Sequence, residues 1–162
     1  MDIIADVNFD GINYNLREGM YRYIGSGSGR RVFDLENGYV VKVAKNRKGI
    51  AQNQVEYEIA LADQSNLFAK IPDVSRNYGL LIMEKAERMR NFSDVFIYFN
   101  VRNYRELFYL EPIRYNLYKY NLIPQDLARI SSWGIVNNRP VIIDYGFTYS
   151  VRRRYYSFFK PY

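Results

Sequence analysis

Two aspartates in the second half of the sequence stand where carboxylates could do chemistry. Asp126 follows a stretch of helical pattern in PQDLARIS, and Asp144 ends the apolar run of VIIDYG. A carboxylate can accept a proton or bind a divalent cation. Gly146 allows the chain to turn sharply after Asp144, which favours a metal-binding role for that carboxylate. The other interpretation is an ordinary loop aspartate and an ordinary strand-end aspartate.

The residue types that the sequence lacks narrow the chemistry further. Its 162 residues include no cysteine and no histidine. Disulfides, thiolate metal sites and Ser-His-Asp catalysis are therefore excluded, and acid–base chemistry must use carboxylates or lysines. The net charge of +6 favours anionic partners, namely nucleotide phosphates, nucleic acid or an acidic protein surface.

The sequence also predicts where the protein works. No apolar run approaches the length needed to cross a bilayer, and the N-terminal segment MDIIADVNFDG is too acidic and too short in apolar residues for a secretion signal. We therefore expect a cytoplasmic protein with no membrane partner.

A glycine-rich segment, YIGSGSGRRVF, lies near the start of the chain, with glycines at 25, 27 and 29. A Walker A loop would require a Gly-Lys-Ser/Thr ending, which is missing. A Rossmann loop would lead into a helix, whereas the strand-like RVFDL follows here. Two interpretations stay open: a hairpin that covers phosphates between two strands, and a flexible hairpin with no ligand.

A lysine and a glutamate follow the glycine-rich segment. The valine-rich strand YVVKVAK carries Lys42, which could reach phosphates. The helical pattern over residues 49–64 offers Glu56 or Glu58 as its partner. We favour Glu56 because it lies one helical turn before Ile59 and borders the packed face.

The order of the predicted elements defines a fold class. A small antiparallel sheet, a helix, two more strands, a helical region from NFSDVFIYF to LYKYNL and a late hairpin with an Asn-Asn turn follow one another. This order predicts an α+β protein of two lobes that form one compact unit. We place the boundary between residues 1–86 and 87–162.

Taken in chain order, these segments resemble the protein-kinase-like superfamily in a reduced form. GSGSGRRV resembles the glycine-rich loop, Lys42 the third-strand lysine and Glu56 its helix partner. LLIMEKAE resembles the fifth strand and hinge, QDLARIS the catalytic loop, and DYG the magnesium loop. The resemblance covers roughly residues 21–148 and implies a two-lobe fold with an antiparallel N-terminal sheet and a truncated, mostly helical C-terminal lobe.

The resemblance implies a nucleotide site with ATP and Mg²⁺ as cofactors. It implies that Asp126 is the catalytic residue and accepts the proton of an acceptor hydroxyl, and that Asp144 binds the metal with Ser131. The residues implied to hold the nucleotide come from the glycine-rich loop, the lysine–glutamate pair and the hinge: Gly25, Ser26, Gly27, Ser28, Gly29, Arg30, Lys42, Glu56 and Glu84.

The chain departs from the family pattern at three points. Arg30 stands at the third glycine of the loop, where it could add positive charge for a phosphate. Ser131 stands where the family has an asparagine metal ligand, and a hydroxyl binds magnesium less firmly. No Ala-Pro-Glu signature follows Asp144, and the sequence leaves no room for the helices of a peptide-docking floor.

Three functions are therefore open. The first is ATP-dependent phosphotransfer to a hydroxyl acceptor. The second is a catalytically impaired pseudokinase that binds or inhibits a protein, since such reduced chains resemble proteins of phages and mobile elements. The third is nucleic-acid binding through the basic aromatic tail from Arg152 to Lys160, where charge and stacking could combine. That tail is otherwise an amphipathic helix whose aromatics pack on the core.

Overall fold

An antiparallel sheet of five strands forms the first half of the fold. The computed structural model describes residues 6–156 of the chain. The strand order is β1-β2-β3-β5-β4, and all neighbours are antiparallel. The strands are β1 (Arg22–Ser26), β2 (Arg30–Asp34), β3 (Tyr39–Ala44), β4 (Asp73–Val74) and β5 (Leu80–Glu84).

Alternation along β3 and β5 gives the sheet two different faces. Val41, Leu80 and Ile82 are buried on one face, where apolar residues of helix α1 (Phe9–Arg17) pack against them. Leu81 and Met83 are buried on the other face, in the main core of the protein. Because side chains alternate, Lys42 faces the interior between the sheet and the rest of the chain.

Helix α2 (Arg47–Ala62) begins where the Asn46 side chain accepts a hydrogen bond from the Gly49 N–H at 3.0 Å. It ends where Asp63 takes an extended conformation. The buried residues of α2 are mostly polar or small: Gly49, Gln52, Asn53, Glu56 and Ile59. A helix that buries polar groups needs hydrogen-bond partners for them, and these partners lie in the site described below.

The second half of the fold contains short helices and a small sheet. Its helices are α3 (Ser93–Phe99), α4 (Tyr104–Tyr109), α5 (Glu111–Lys119), α6 (Pro124–Leu127) and α7 (Tyr149–Tyr156). The helical pattern predicted here forms, but it is divided. Asn100 ends α3 in the left-handed conformation with φ of 54°, and Leu110 is extended between α4 and α5.

A three-stranded sheet carries the segment that precedes Asp144. Strands β6 (Glu87–Arg88), β7 (Trp133–Val136) and β8 (Arg139–Ile142) pair in that order. The predicted hairpin with its Asn-Asn turn is confirmed, because Asn137 and Asn138 both have positive φ, at 51° and 61°. Two left-handed residues are what a tight turn between right-twisted strands requires.

The architecture confirms the α+β prediction of an antiparallel N-terminal sheet followed by a mostly helical part. The division at residue 86 stays a prediction. Within residues 6–156, no helix has the length and hydrophobicity that a membrane crossing requires.

Candidate active site

The Glu56 carboxylate lies at the centre of a buried charged cluster. Lys42 Nζ donates to its two oxygens at 3.0 and 2.9 Å, so the contact predicted between these residues is present. Arg30 also binds both oxygens, with Nη1 at 2.7 Å and Nη2 at 2.9 Å. Glu56 is 0 % exposed, which means that two cations and one carboxylate share a site closed to solvent.

Burial and charge act against each other in this cluster. Burial by itself raises the pKa of Glu56, but the charges of Arg30 and Lys42 outweigh it and lower that pKa from 4.5 to about 2. Burial lowers the pKa of Lys42, with Glu56 opposing this and Arg30 adding to it. Burial also acts to lower the pKa of Arg30, but Glu56 more than compensates and raises it. Glu56 and Arg30 are therefore firmly ionised at neutral pH.

The same carboxylate holds the backbone of the DYG segment. The N–H groups of Tyr145 and Gly146 both donate to Glu56 Oε1 at 3.1 Å. Gly146 lies so close to α2 that an added Cβ would stand 2.5 Å from the Gln52 carbonyl oxygen. The Tyr145 hydroxyl donates to the Ala69 carbonyl at 2.8 Å and fixes the ring in the core. The position of the DYG segment therefore depends on α2.

These contacts place Asp144 at the edge of the cluster. Arg30 Nη2 donates to Asp144 Oδ1 at 2.9 Å, while the side chain of Asp144 is 55 % exposed. Lys42 Nζ also donates to the carbonyl oxygen of Ile143 at 2.5 Å. One face of Asp144 is thus tied to the buried cluster and another is open to solvent.

The glycine-rich loop is a hairpin between β1 and β2, as the sequence predicts, and it rests on the start of α2. The Gly27 N–H donates to the Arg30 carbonyl at 2.9 Å, and Lys45 Nζ donates to Ser26 Oγ at 3.0 Å. The Asn46 side chain donates to the Ser28 carbonyl at 3.1 Å. Nothing lies within 4 Å of a Cβ added at Gly25 or Gly27, so the outer side of the loop is open.

Gly29 is the point where the loop touches the helix. A Cβ at Gly49 would stand 2.0 Å from the Gly29 carbonyl oxygen, and a Cβ at Gly29 would stand 2.4 Å from Gln52 Oε1. The Lys45 N–H also donates to the Gly29 carbonyl at 2.8 Å. Two glycines are therefore needed so that the loop and α2 can approach this closely.

Helix α6, which carries Asp126, is held in place by hydrogen bonds from the residues that follow it. Ser132 Oγ donates to the Asp126 carbonyl at 2.6 Å, and Trp133 Nε1 donates to the Leu127 carbonyl at 2.7 Å. Ser132 is buried, whereas Ser131, the residue predicted as a metal ligand, is exposed on the 3₁₀ turn Ile130–Ser132. The role of Ser131 as a metal ligand therefore stays a prediction.

The Asp126 side chain is half-buried. Burial raises the pKa of its carboxyl above the usual range. Arg129, whose Nη2 lies 3.7 Å from Asp126 Oδ1, lowers that pKa, Asp144 raises it, and Arg152 of α7 lowers it. Asp126 Oδ2 is a buried oxygen for which residues 6–156 offer no hydrogen-bond partner. Asp126 thus combines a raised pKa with one buried oxygen that has no hydrogen-bond partner among residues 6–156.

The remaining predicted positions lie around this centre. Glu84 ends β5, and its Oε1 accepts a hydrogen bond from the Lys70 N–H at 2.7 Å. In the predicted basic tail, Arg152 to Arg154 lie on α7, while Phe158, Phe159 and Lys160 lie outside the described residues. Nucleic-acid binding by this tail stays a prediction.

Asn53 is a site residue that the sequence analysis missed. It is 0 % exposed, accepts from Arg30 Nη1 at 3.1 Å and donates to the Tyr78 carbonyl at 2.8 Å. It lies nearly one helical turn before Glu56, so the spacing of polar residues on the packed face of α2 was the signal that could have identified it.

The carboxylates of the site limit how it could hold Mg²⁺. Residues 6–156 contain no group of three or more Asp, Glu, His or Cys side chains placed to hold a metal. Protein sites often bind Mg²⁺ through one or two carboxylates, waters and substrate phosphates. Asp144 suits this mode because its side chain is largely exposed.

Comparison with known proteins identifies the fold. No protein-family model matches the chain, and no curated protein matches it in sequence. Among solved structures, the ternary complex of APH(2'')-IIa with streptomycin and ATP matches with a TM-score of 0.51 and 16 % sequence identity, over 90 % of this chain and 73 % of that one. That protein is an aminoglycoside phosphotransferase of protein-kinase-like fold. The present chain therefore has a protein-kinase-like fold.

Proposed function

We propose that this protein is a small kinase-like phosphotransferase that transfers a phosphoryl group from ATP to a hydroxyl acceptor. The observation that carries the proposal is the Glu56 carboxylate, which binds Lys42 and two backbone N–H groups of the DYG segment. This arrangement fixes a buried cation and an exposed carboxylate, Asp144, relative to one another. The similar solved complex contains ATP in the same fold, which supports ATP as the phosphoryl donor.

The N-terminal half binds the nucleotide in this proposal. Backbone N–H groups of residues 25–29 hold the phosphates, except that of Gly27, which donates to the Arg30 carbonyl; the glycines allow the phosphates to approach closely. Lys42 of β3 supplies positive charge for the phosphates, and its position is fixed because Glu56 binds it in the buried cluster. The β5–β6 connection that begins at Glu84 borders the adenine.

Asp126 acts as the general base in this proposal. Its carboxylate, which is partly exposed, accepts the proton of the acceptor hydroxyl as that oxygen attacks the terminal phosphorus atom and the bond to ADP breaks. The raised pKa of Asp126 makes it a better proton acceptor than an exposed aspartate. Ser132 and Trp133 hold the backbone of α6, which keeps the base in position.

Asp144 would hold Mg²⁺, with Ser131 as a weaker second ligand. When bound, the ion would neutralise charge that develops on the phosphate oxygens. The role of the chain is to orient the Asp144 carboxylate, which Arg30 does through its hydrogen bond to Oδ1.

Two variants test this proposal. Lys42→Met should weaken ATP binding by at least about tenfold in calorimetry, because it removes the buried charge. Lys119→Met, at the end of α5, is the control and should bind ATP as the wild type does. Undiminished ATP binding by the Lys42 variant would contradict the nucleotide site.

The second variant tests the base. Asp126→Asn should reduce ADP release by about 10²–10⁴-fold while ATP affinity is retained. Asp10→Asn, on the exposed side of α1, is the matched control and should leave turnover unchanged. A full rate in the Asp126 variant would remove this residue from the mechanism.

A second candidate function is a catalytically impaired pseudokinase that binds a protein, in line with a phage or mobile-element origin. One observation favours it: Asp144 is already paired with Arg30. On this hypothesis, Asp144→Ala should leave partner binding intact in pull-down experiments with the folded protein. Loss of binding in the folded variant would contradict it.

A further inference from the structure

Arg30 is the most unusual residue of the site. It is the first residue of β2, yet only 6 % of it is exposed. A buried arginine is rare unless its charge is paired. Here the guanidinium binds both oxygens of Glu56, the Asn53 side chain and Asp144 Oδ1. It therefore bridges two carboxylates from positions far apart in the sequence.

The charges of the cluster balance because of Arg30. The two cations Arg30 and Lys42 face the two anions Glu56 and Asp144. Without Arg30 the cluster would carry one net negative charge. A triphosphate that approaches such a cluster would be repelled unless a divalent cation arrived with it.

We propose that Arg30 is a resident cation that neutralises Asp144, so that this site binds ATP without requiring Mg²⁺. The inference rests on the proposed nucleotide site. A guanidinium suits the role because it stays charged at every accessible pH and its planar fork binds carboxylates through two bonds at once. In this structure Nη1 and Nη2 of Arg30 both donate to Glu56, and Nη2 also donates to Asp144 Oδ1.

A second consequence concerns divalent cations alone. With Arg30 bound to Oδ1, a free metal ion meets a carboxylate whose charge is already balanced. The wild type should therefore bind a divalent cation weakly in the absence of nucleotide. Removing the arginine charge should strengthen this binding by about tenfold or more.

The first test is calorimetric titration of the full chain with ATP, once in Mg²⁺ and once in EDTA. The expected wild-type dissociation constants differ by less than about threefold. Arg30→Gln should lose at least about tenfold in EDTA while keeping its affinity in Mg²⁺, and Arg30→Lys should behave more like the wild type because the charge is retained. A wild type that loses more than tenfold in EDTA would overturn the inference.

The second test separates this inference from the proposed function. Mn²⁺ alone is titrated and followed by electron paramagnetic resonance, with no nucleotide present. Arg30→Gln should bind Mn²⁺ at least tenfold more tightly than the wild type, and Asp144→Asn in the same background should remove the gain. If the wild type binds no ATP in either buffer, the nucleotide proposal fails, and equal Mn²⁺ affinities would also overturn the role of Arg30.

Circular dichroism melting shows which variants are folded. If Arg30→Gln does not fold, the wild-type comparison in Mg²⁺ and EDTA still decides the inference, because it needs no substitution.

Discussion

The Glu56 carboxylate offers the sharpest test of the structure. Glu56→Gln keeps the shape of the side chain but removes its charge. Lys42 and Arg30, each only 7 % exposed at the side chain, would then lose their shared counter-ion. The backbone N–H groups of Tyr145 and Gly146 would also lose a charged acceptor. The substitution therefore leaves Lys42 without its carboxylate partner and leaves Arg30 with Asp144 alone.

The expected loss of stability is large. Removing one partner of a buried ion pair costs about 3–5 kcal/mol. A domain of this size has a free energy of unfolding of about 5–15 kcal/mol, so the variant would lose a major part of it. Asp144 still faces Arg30, which keeps the cost at the lower end of this range.

Urea unfolding measures this loss directly. The only tryptophan, Trp133, is 1 % exposed, so its fluorescence reports loss of the core. The matched control is Glu58→Gln on the same helix, where Glu58 is exposed and accepts a hydrogen bond from Gln54 Nε2. It should change stability by less than about 0.5 kcal/mol. A loss below about 1 kcal/mol for Glu56→Gln, or equal losses for both variants, would refute the buried cluster.

Two further predictions follow from the same site. Because the pKa of Glu56 is lowered to about 2, its contribution to the free energy of unfolding is fully present above pH 4.5 and is lost as the pH falls from 4.5 towards 2. Over this range the free energy of unfolding, measured by urea titration, should fall by about 3 kcal/mol in the wild type and by much less in Glu56→Gln. Gly49→Ala should destabilise by about 1–3 kcal/mol, because its Cβ would strike the Gly29 carbonyl, whereas Gly27→Ala meets open space and should unfold close to the wild-type temperature. Equal melting temperatures for the two alanine variants would contradict the packing of the loop on α2.

Much of the fold could be predicted because local pattern determines local structure. The valines of YVVKVAK alternate between two faces, which predicts a strand and places Lys42 on the interior face. The Asn-Asn pair predicts a hairpin because asparagine tolerates positive φ. Helix α2 begins at Arg47 rather than at residue 49, since Asn46 supplies the cap.

Part of the candidate site was also accessible to the sequence. The choice of Glu56 over Glu58 depended on helical spacing, and the structure buries the first and exposes the second. Motif order suggested Asp126, whose side chain is half-buried, and Asp144, which lies at the edge of the buried cluster. The catalytic and metal-binding roles of these residues stay predictions.

Only the tertiary structure decided how the charges of the site are paired. Arg30, at the end of a glycine-rich loop, has the local pattern of an exposed residue that contacts phosphate, yet it is buried between Glu56 and Asp144. Asn53 likewise acquires its role from partners on two other strands. The sequence determined which elements form, because periodicity and turn chemistry act over a few residues. It could not determine this pairing, because the Coulomb energy depends on distances that arise only when β2, α2 and the DYG segment pack together.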